Sequence, residues 1–261
     1  MATEPRRIAS RDNPLLVRLR RLGSDPAAYR KLGQVWLEGD HLCEAFVRRG
    51  GRPAQAVLAA RALGDPALRA LADHAAAVAV VDDTLLPSIS TLESPAPLGF
   101  VIDWPGAGTL RPDVPTVVLD RLQDAGNAGT ILRSAAAFGF TQVVALKGTA
   151  ALWSTKALRA GMGAHFGLHL VEHADAEALA ALTVPLLATS SHAAAAIDRT
   201  PLPWPCAWVF GHEGQGVAPA LQARCRAVLR IPQPGGEESL NAAAAAAVCL
   251  YESSRQRALS T

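Results

Sequence analysis

Short runs of apolar residues alternate with amphipathic segments along the first 103 residues of the chain. Four apolar runs predict β-strands, at Val35–Leu37, Ala54–Leu58, Ala76–Val81 and Gly99–Ile102. Four other segments predict helices, at Pro14–Leu22, Gly39–Arg49, Pro66–Asp73 and Asp82–Ile89. Alternation of this kind is typical of a small α/β domain, because each helix can cover one face of a sheet.

Residues 104–115 have no apolar period. They include Pro105, Gly106, Gly108, Pro112 and Pro115, so we interpret the segment as a linker. Residues 116–261 then contain six apolar runs that predict strands, at Thr116–Asp120, Gln142–Leu146, Leu168–Val171, Pro185–Thr189, Cys206–Phe210 and Ala227–Ile231. These runs are apolar throughout and alternate with helical segments, which predicts a parallel sheet covered on both faces.

Three loops that follow predicted strands carry glycines and polar residues at fixed spacing. The first loop, Gln123–Arg133, reads Asn-x-Gly-x-x-x-Arg, and the second loop, Val209–Val217, reads Gly-x-Glu-x-x-Gly. The third loop, Ile231–Asn241, begins with Ile-Pro and ends with Ser-Leu-Asn before the alanine-rich helix Ala242–Val248. Since α/β proteins bind ligands at the carboxyl ends of parallel strands, these loops predict a binding site.

Together and in this order, the three patterns resemble the motifs of the SpoU family of RNA ribose 2′-O-methyltransferases, although each pattern alone is weak. Leu158–Ala164 resembles the family's linking segment, and Trp36–Leu42 resembles the substrate-binding domain that precedes the methyltransferase domain in many members. The resemblance implies an α/β protein with two domains. Residues 116–261 would form a trefoil-knotted, parallel-sheet methyltransferase domain, and residues 1–103 a smaller α/β RNA-binding domain.

The resemblance also implies S-adenosylmethionine as the cofactor, RNA as the substrate and a homodimer. A complete N-terminal domain favours ribosomal RNA over transfer RNA. By position in the motifs, cofactor binding falls to Gly211, Ile231 and Leu240. The residues expected to act on the substrate are Asn127, Arg133, Glu213, Ser239 and Asn241.

Arg133 is the strongest candidate for catalysis among these residues. The resemblance places it at the target ribose, as a group that helps to deprotonate the 2′-hydroxyl. A guanidinium is a poor base, because its pKa exceeds about 12. We therefore expect Arg133 to orient the hydroxyl and the adjacent phosphate and to stabilise the developing alkoxide. We expect Glu213 to hold either Arg133 or a loop amide.

Three of these residues also have purely structural interpretations. Asn127 stands where a helix cap would stand, and Ser239 and Asn241 could cap the last helix. We expect position 211 to require glycine, because a Cβ there would occupy space that the ligand needs. Two acidic residues in the third loop, Glu237 and Glu238, have no assigned role.

Charge adds a second candidate RNA-binding feature. The net charge is only +2, but the first 31 residues contain eight basic and three acidic residues. The basic residues are Arg6, Arg7, Arg11, Arg18, Arg20, Arg21, Arg30 and Lys31. Arginine-rich segments suit phosphate contacts, whereas the alternative is a solvated helix face.

Several other classes of protein are disfavoured by composition. No apolar run approaches the roughly 20 residues of a membrane span, and residues 1–7 lack the apolar core of a secretory signal, so we expect a cytoplasmic protein with no membrane contact. Four scattered cysteines favour buried thiols over a metal site, and we assign no metal. A dinucleotide-dependent oxidoreductase is disfavoured because Gly-x-Gly-x-x-Gly follows neither first strand. A catalytically silent RNA-binding assembly factor remains the alternative from another class.

Overall fold

The computed structural model describes residues 5–235 and 239–260, so Glu237 and Glu238 lie outside the described residues. The chain forms two compact units. The first unit comprises residues 5–106 and 153–166, and the second comprises residues 107–152 and 167–260. Segment 153–166 therefore packs with the first unit, which the sequence pattern did not indicate.

The bounds of the regular elements among the described residues are as follows. The α-helices are α1 Pro14–Ser24, α2 Ala28–Leu32, α3 Asp40–Arg48, α4 Pro66–Ala72, α5 Ala125–Ala137, α6 Thr155–Gly161, α7 Pro219–Gln222 and α8 Ala242–Ser260. The strands are β1 Arg6–Ile8, β2 Gln34–Glu38, β3 Gln55–Ala59, β4 Val78–Val81, β5 Leu98–Asp103, β6 Thr116–Leu119, β7 Gln142–Leu146, β8 His169–Ala174, β9 Leu186–Thr189, β10 Ala195–Ala196, β11 Ala207–Phe210 and β12 Ala227–Arg230.

The first unit contains a mixed five-stranded sheet in the order β1-β4-β3-β5-β2. Strands β1, β4 and β3 are parallel, whereas β5 runs antiparallel to both β3 and β2. Two of its helices begin at a proline that follows a capping side chain. Asn13 accepts a hydrogen bond from the amide of Leu15, and Asp65 accepts from the amides of Ala67 and Leu68. Such caps satisfy amides that have no partner within the helix.

The prediction of a helix at Asp82–Ile89 has to be corrected. The chain there forms a 3₁₀ helix, Asp83–Ser88, which contains Pro87. A proline cannot donate the backbone hydrogen bond that a longer α-helix would need. The sequence pattern also missed β1, α2 and β10. These elements have three, five and two residues, too few to show a period.

The second unit contains a seven-stranded sheet in the order β10-β12-β9-β11-β6-β7-β8. Every neighbouring pair is parallel, which confirms the predicted parallel sheet. Val118, Val144 and Val209 from three adjacent strands are completely buried in its core. Residues 107–115 belong to this unit, since Gln142 exchanges hydrogen bonds with the backbone of Arg111.

Helices α5 and α8 pack together in the second unit. Asp124 caps α5 by accepting from the amide of Asn127, and Asn241 precedes α8 and accepts from the amides of Ala243 and Ala244. The indole of Trp208 on β11 donates to the hydroxyl of Ser253 on α8 at 2.8 Å. The caps fix where the two helices begin, and Asn127, which the sequence suggested as a cap, instead lies inside α5. The contact between Trp208 and Ser253 joins the middle of α8 to β11.

The four cysteines are free thiols. Cys43, Cys206 and Cys249 are buried, and Cys225 is half-buried. Burial raises the pKa of Cys206 to about 12 and that of Cys225 to about 11, so these thiols stay protonated at neutral pH. Among the described residues, no helix combines the length and the apolar character needed to cross a bilayer.

Candidate active site

A cavity of about 890 Å³ opens at the carboxyl ends of β9, β11 and β12 in the second unit. Gly211, Ile231 and Leu240, the three predicted cofactor-binding residues, all line it, as do Glu213 and Ser239. The remaining lining includes residues 189–192 at the carboxyl end of β9 and residues 214–217 of the second loop. The structure therefore brings the second and third loops together around one space.

The geometry gives a different reason for glycine at position 211 than the sequence suggested. A Cβ on Gly211 would overlap the backbone of Gly216 and Val217 rather than occupy open cavity. The two ends of the second loop lie this close because His212 and Gly216 exchange backbone hydrogen bonds, at 3.1 and 2.8 Å. Gly211 thus allows the second loop to close on itself.

The carboxylate of Glu213 joins the second loop to the first. One oxygen accepts a hydrogen bond from the amide of Gln123 at 3.0 Å. The other accepts from the amide of Asp124 at 3.0 Å and from the side chain of Asn127 at 3.2 Å. Of the two roles expected for Glu213, the structure selects the loop amides and not Arg133.

The side chain of Asn127 extends this network to the third loop. Its Oδ1 accepts a hydrogen bond from Nδ2 of Asn241 at 3.1 Å, while its Nδ2 donates to Glu213. Asn241 is at the same time the cap of α8, so one residue serves both of its expected roles. Glu213, Asn127 and Asn241 therefore tie the three motif loops together.

Two predicted site residues do not join the network. Arg133 is exposed on α5 and forms no hydrogen bond or ion pair with any residue that the structure describes. Ser239 is exposed and lines the cavity. The guanidinium of Arg133 is thus available to a ligand that approaches from outside the chain.

Some lining residues were missed by sequence reasoning. Thr189, Ser190 and His192 form part of the cavity, and their signal was their position at the carboxyl end of a predicted strand. His212 also lines the cavity, and its Nδ1 accepts a hydrogen bond from the amide of Gly214 at 3.0 Å. This contact engages Nδ1 of His212 within the second loop.

The Glu213 carboxylate is held in its charged form. Its partial burial alone would raise the pKa, but hydrogen bonds from the amides of Gln123 and Asp124 and from Asn127 outweigh this, and the pKa is lowered. A lowered pKa in the folded state means that the carboxylate stabilises the fold above its unfolded pKa of about 4.3. This stabilisation disappears as the pH falls through the lower folded-state pKa.

We expect Glu213→Gln to weaken cofactor binding about tenfold. A glutamine amide would present a donor to one of the two backbone amides, leaving that amide without an acceptor, which costs about 1–3 kcal/mol. Calorimetric titration with S-adenosylmethionine measures the affinity, with the exposed Glu177→Gln as the matched control.

The difference in unfolding free energy between wild type and Glu213→Gln should also shrink below about pH 4. A difference independent of pH would contradict the assigned contacts.

Comparison with known proteins identifies the family. The SpoU rRNA Methylase family model matches residues 115–251. An uncharacterised tRNA/rRNA methyltransferase of Synechocystis is 33% identical over 265 residues, which cover 96% of this chain and 94% of that protein. The 23S rRNA (guanosine(2553)-2′-O)-methyltransferase of Bacillus subtilis is 31% identical over 175 residues, or 66% of this chain and 70% of that protein.

Solved structures agree with this identification. A crystal structure of an RNA 2′-O ribose methyltransferase superposes with a TM-score of 0.81 at 29% identity, covering 97% of this chain and 99% of that one. The chain belongs to the SpoU rRNA methylase family. It is an RNA 2′-O-methyltransferase that takes its methyl group from S-adenosylmethionine.

The residues around the cavity fit this cofactor. The volume lies within the roughly 300–1,000 Å³ of small-molecule sites. Leu240 exposes 41% of its surface there, which offers an apolar contact to a planar base. Gln233 also lines the cavity, and its buried Oε1 has no hydrogen-bond partner among the described residues, so a ligand donor could satisfy it. When bound, S-adenosylmethionine supplies an electrophilic methyl group on a sulfonium.

Proposed function

We propose that this protein methylates a ribose 2′-hydroxyl of large-subunit ribosomal RNA. The proposal is supported by relatives that are named for 23S rRNA, in Bacillus subtilis and in Streptomyces viridochromogenes. The observation that carries it is the Glu213–Asn127–Asn241 network, which holds the three motif loops beside the cavity.

Arg133 is the residue assigned to the target nucleotide in this proposal. It lies six residues beyond Asn127 on α5, which is less than two helical turns, and its guanidinium is exposed. A planar, permanently charged fork can bind a phosphate and the neighbouring hydroxyl together. It would also stabilise the negative charge that develops on the 2′-oxygen as the methyl group transfers. Asn127, Ser239 and Asn241 present polar groups that would position the same ribose.

An assay with both kinds of RNA distinguishes a ribosomal RNA substrate from a transfer RNA substrate. Purified protein incubated with S-adenosylmethionine and either ribosomal RNA or total tRNA, followed by mass-spectrometric mapping of 2′-O-methyl groups, identifies the modified molecule. A new 2′-O-methyl group in ribosomal RNA is expected. Modification of tRNA alone would replace the proposed target, and no modification of either RNA would favour a silent assembly factor. We place the reaction in the cytoplasm.

Division of labour between the two parts of the chain belongs to the same proposal. The first unit would bind RNA, as expected for residues 1–103, and the second would carry out catalysis, as expected for residues 116–261. A catalytic fragment is better cut before Ala107 than at residue 116, because the amide of Glu172 donates to the carbonyl of Ala107 and the amide of Thr183 donates to that of Pro112. It would carry segment 153–166 without the packing partners that this segment has in the first unit.

The N-terminal basic residues are not equally available to RNA. Arg7 pairs with Asp82 at 3.1 Å, and Arg20 donates to the carbonyl oxygens of Leu16 and Arg11. Reversing the charge of Arg20 would therefore disturb the fold. Four exposed residues of the group make no side-chain hydrogen bond or ion pair within the described chain, namely Arg6, Arg11, Arg21 and Lys31. We assign the phosphate contacts to Arg11, Arg21 and Lys31, because Arg6 is part of strand β1.

Charge reversal of Arg11, Arg21 and Lys31 to Glu should weaken RNA binding at least tenfold at low salt. Each lost phosphate contact should reduce the slope of log affinity against log salt by about 0.7 to 0.9. Filter binding across a salt series measures both quantities. The matched control reverses Arg48, Arg49 and Arg52, three exposed arginines at the end of α3, with the same change in net charge. An equal loss in the control would show a general charge effect and refute a dedicated N-terminal contact.

A trefoil knot in the second unit is part of the proposed fold. Strand β12 lies beyond β9, yet the chain after it returns to the centre of the unit, where α8 packs on α5. The connection between β9 and β11 covers α8 on the other side: Gln256 accepts from the amide of Leu202 and donates to the carbonyl of Thr200. A return path beneath this connection would thread the chain. A crystal structure that traces residues 231–241 would test it.

The proposed homodimer is supported by apolar side chains on one face of α8. Val248, Tyr251 and Leu259 are spaced by three and eight residues and expose 40%, 53% and 75% of their surface. Exposed apolar residues at helical spacing are typical of an interface between chains. Light scattering of the purified protein should give twice the mass of one chain, and a monomer mass would remove the dimer from the proposal.

A further inference from the structure

Arg121 lies two residues after the end of β6, next to Asp120, and has an unusual backbone conformation. Its φ angle is +57°, a left-handed conformation that glycine adopts more readily than any other residue. A long charged side chain is therefore retained at a position where the backbone disfavours it. Such residues are often found where the surrounding contacts serve a function.

The guanidinium of Arg121 bridges two groups. It donates to both carboxylate oxygens of Asp120, at 3.0 and 3.2 Å, and to Oε1 of Gln215 in the second loop at 3.0 Å. Asp120 is buried, and its Oδ2 also accepts a hydrogen bond from the amide of Ala218 at 2.7 Å. Asp120 and Arg121 together hold the second loop at Gln215 and just beyond its end.

Neighbouring residues are arranged around Arg121. Its amide donates to the hydroxyl of Thr149, and its carbonyl accepts from Nε2 of Gln123 at 2.8 Å. Gly148 has a φ of +87°, and a Cβ there would lie 3.4 Å from Cγ of Arg121. Both backbone groups of Arg121 are thus held by hydrogen bonds, and Gly148 lies beside its side chain.

We propose that Arg121 is a positioning residue that fixes the second loop as one wall of the cofactor cavity. Gln215 and Val217 line this cavity, whereas Arg121 does not. Glu213 anchors the loop to the amides of Gln123 and Asp124, and Arg121 anchors it two residues further on. With both anchors in place the segment between them cannot rotate away from the cavity. The role rests on the proposed function, since it assumes that this cavity binds S-adenosylmethionine for methyl transfer.

The test uses Arg121→Lys, Gln215→Ala and the double variant in the full-length protein. A lysine keeps a positive charge beside Asp120 but cannot reach Asp120 and Gln215 together. Gln215 is exposed, so its replacement should leave the thermal unfolding midpoint unchanged. We expect Kd and KM for S-adenosylmethionine to rise about fivefold in each single variant, the size of one hydrogen bond, with kcat within about twofold of wild type. The double variant should bind S-adenosylmethionine no more weakly than the single variant with the lower affinity. Both changes break the same contact, the one between Arg121 and Gln215.

Arg61→Lys is the matched control. Arg61 likewise bridges a carboxylate, that of Asp83, and an oxygen of a second segment, that of Pro95, but it lies in the first unit. Its KM for S-adenosylmethionine should equal that of wild type.

Unchanged affinity in both single variants would overturn the proposal. So would losses that add in the double variant, since Gln215 would then contact the cofactor independently of Arg121. A fall in kcat at constant KM would place Arg121 at the methyl-transfer step instead. Failure of the proposed function looks different: the wild-type protein itself would then bind no S-adenosylmethionine or methylate no RNA.

Discussion

Replacing Arg133 by alanine is expected to lower the rate of methyl transfer about 10²–10³-fold while leaving the affinity for S-adenosylmethionine unchanged. Removal of one group that stabilises developing charge in a transition state typically has an effect of this size. Arg133 does not line the cavity and takes no part in the network of Glu213, Asn127 and Asn241. Its loss should therefore leave the cofactor site intact. Single-turnover methylation of RNA and calorimetric titration measure the two quantities separately.

Two further variants sharpen this experiment. Arg133→Lys keeps the charge but loses the planar fork, so it should recover only part of the activity. Arg226→Ala removes an equally exposed arginine at the start of β12, opposite the motif loops, and should match wild type. Activity of Arg133→Ala within a few-fold of wild type would remove Arg133 from the mechanism. A parallel loss of cofactor affinity would instead assign it to cofactor binding.

The central strands of the second unit could be predicted from the sequence because they are buried on both faces. Strand β7 has the predicted bounds Gln142–Leu146, and every one of its residues is buried. Such strands appear in the sequence as uninterrupted apolar runs. Their order along the chain then limits how they can pair in the sheet. The membership of segment 153–166 in the first unit could not be predicted, since it depends on packing between residues distant in the sequence.

The loops that line the cavity could be predicted, but the contacts between them could not. Gly211, Ile231 and Leu240 do line one cavity, as the position of their loops after strands indicated. The acceptor of the Gln123 amide is Glu213, 90 residues further along the chain, and no local pattern encodes such a pairing. The role of Arg121 could not be predicted, because an arginine in the sequence does not indicate a left-handed backbone conformation. Local patterns show which loops carry chemistry, whereas tertiary contacts decide which groups meet.

Replacing Gly211 by alanine is expected to abolish productive cofactor binding, with at least a tenfold loss of affinity. The new methyl group would overlap the backbone of Gly216 and Val217, so one strand of the second loop must move. Overpacking of this kind typically lowers the free energy of unfolding by about 1–3 kcal/mol. Because Glu213 lies two residues away, the shift would also pull its carboxylate from the amides of Gln123 and Asp124.

Gly214→Ala is the matched control within the same loop. A Cβ at Gly214 would lie 3.8 Å from the ring of His212, an ordinary contact, so this variant should unfold at the wild-type temperature. Thermal unfolding and calorimetric titration of both variants separate two explanations for glycine at position 211. If the loop must close on itself, Gly211→Ala loses stability and affinity together. If the ligand simply needs the space, Gly211→Ala keeps its stability and loses only affinity, and the explanation from loop closure is wrong.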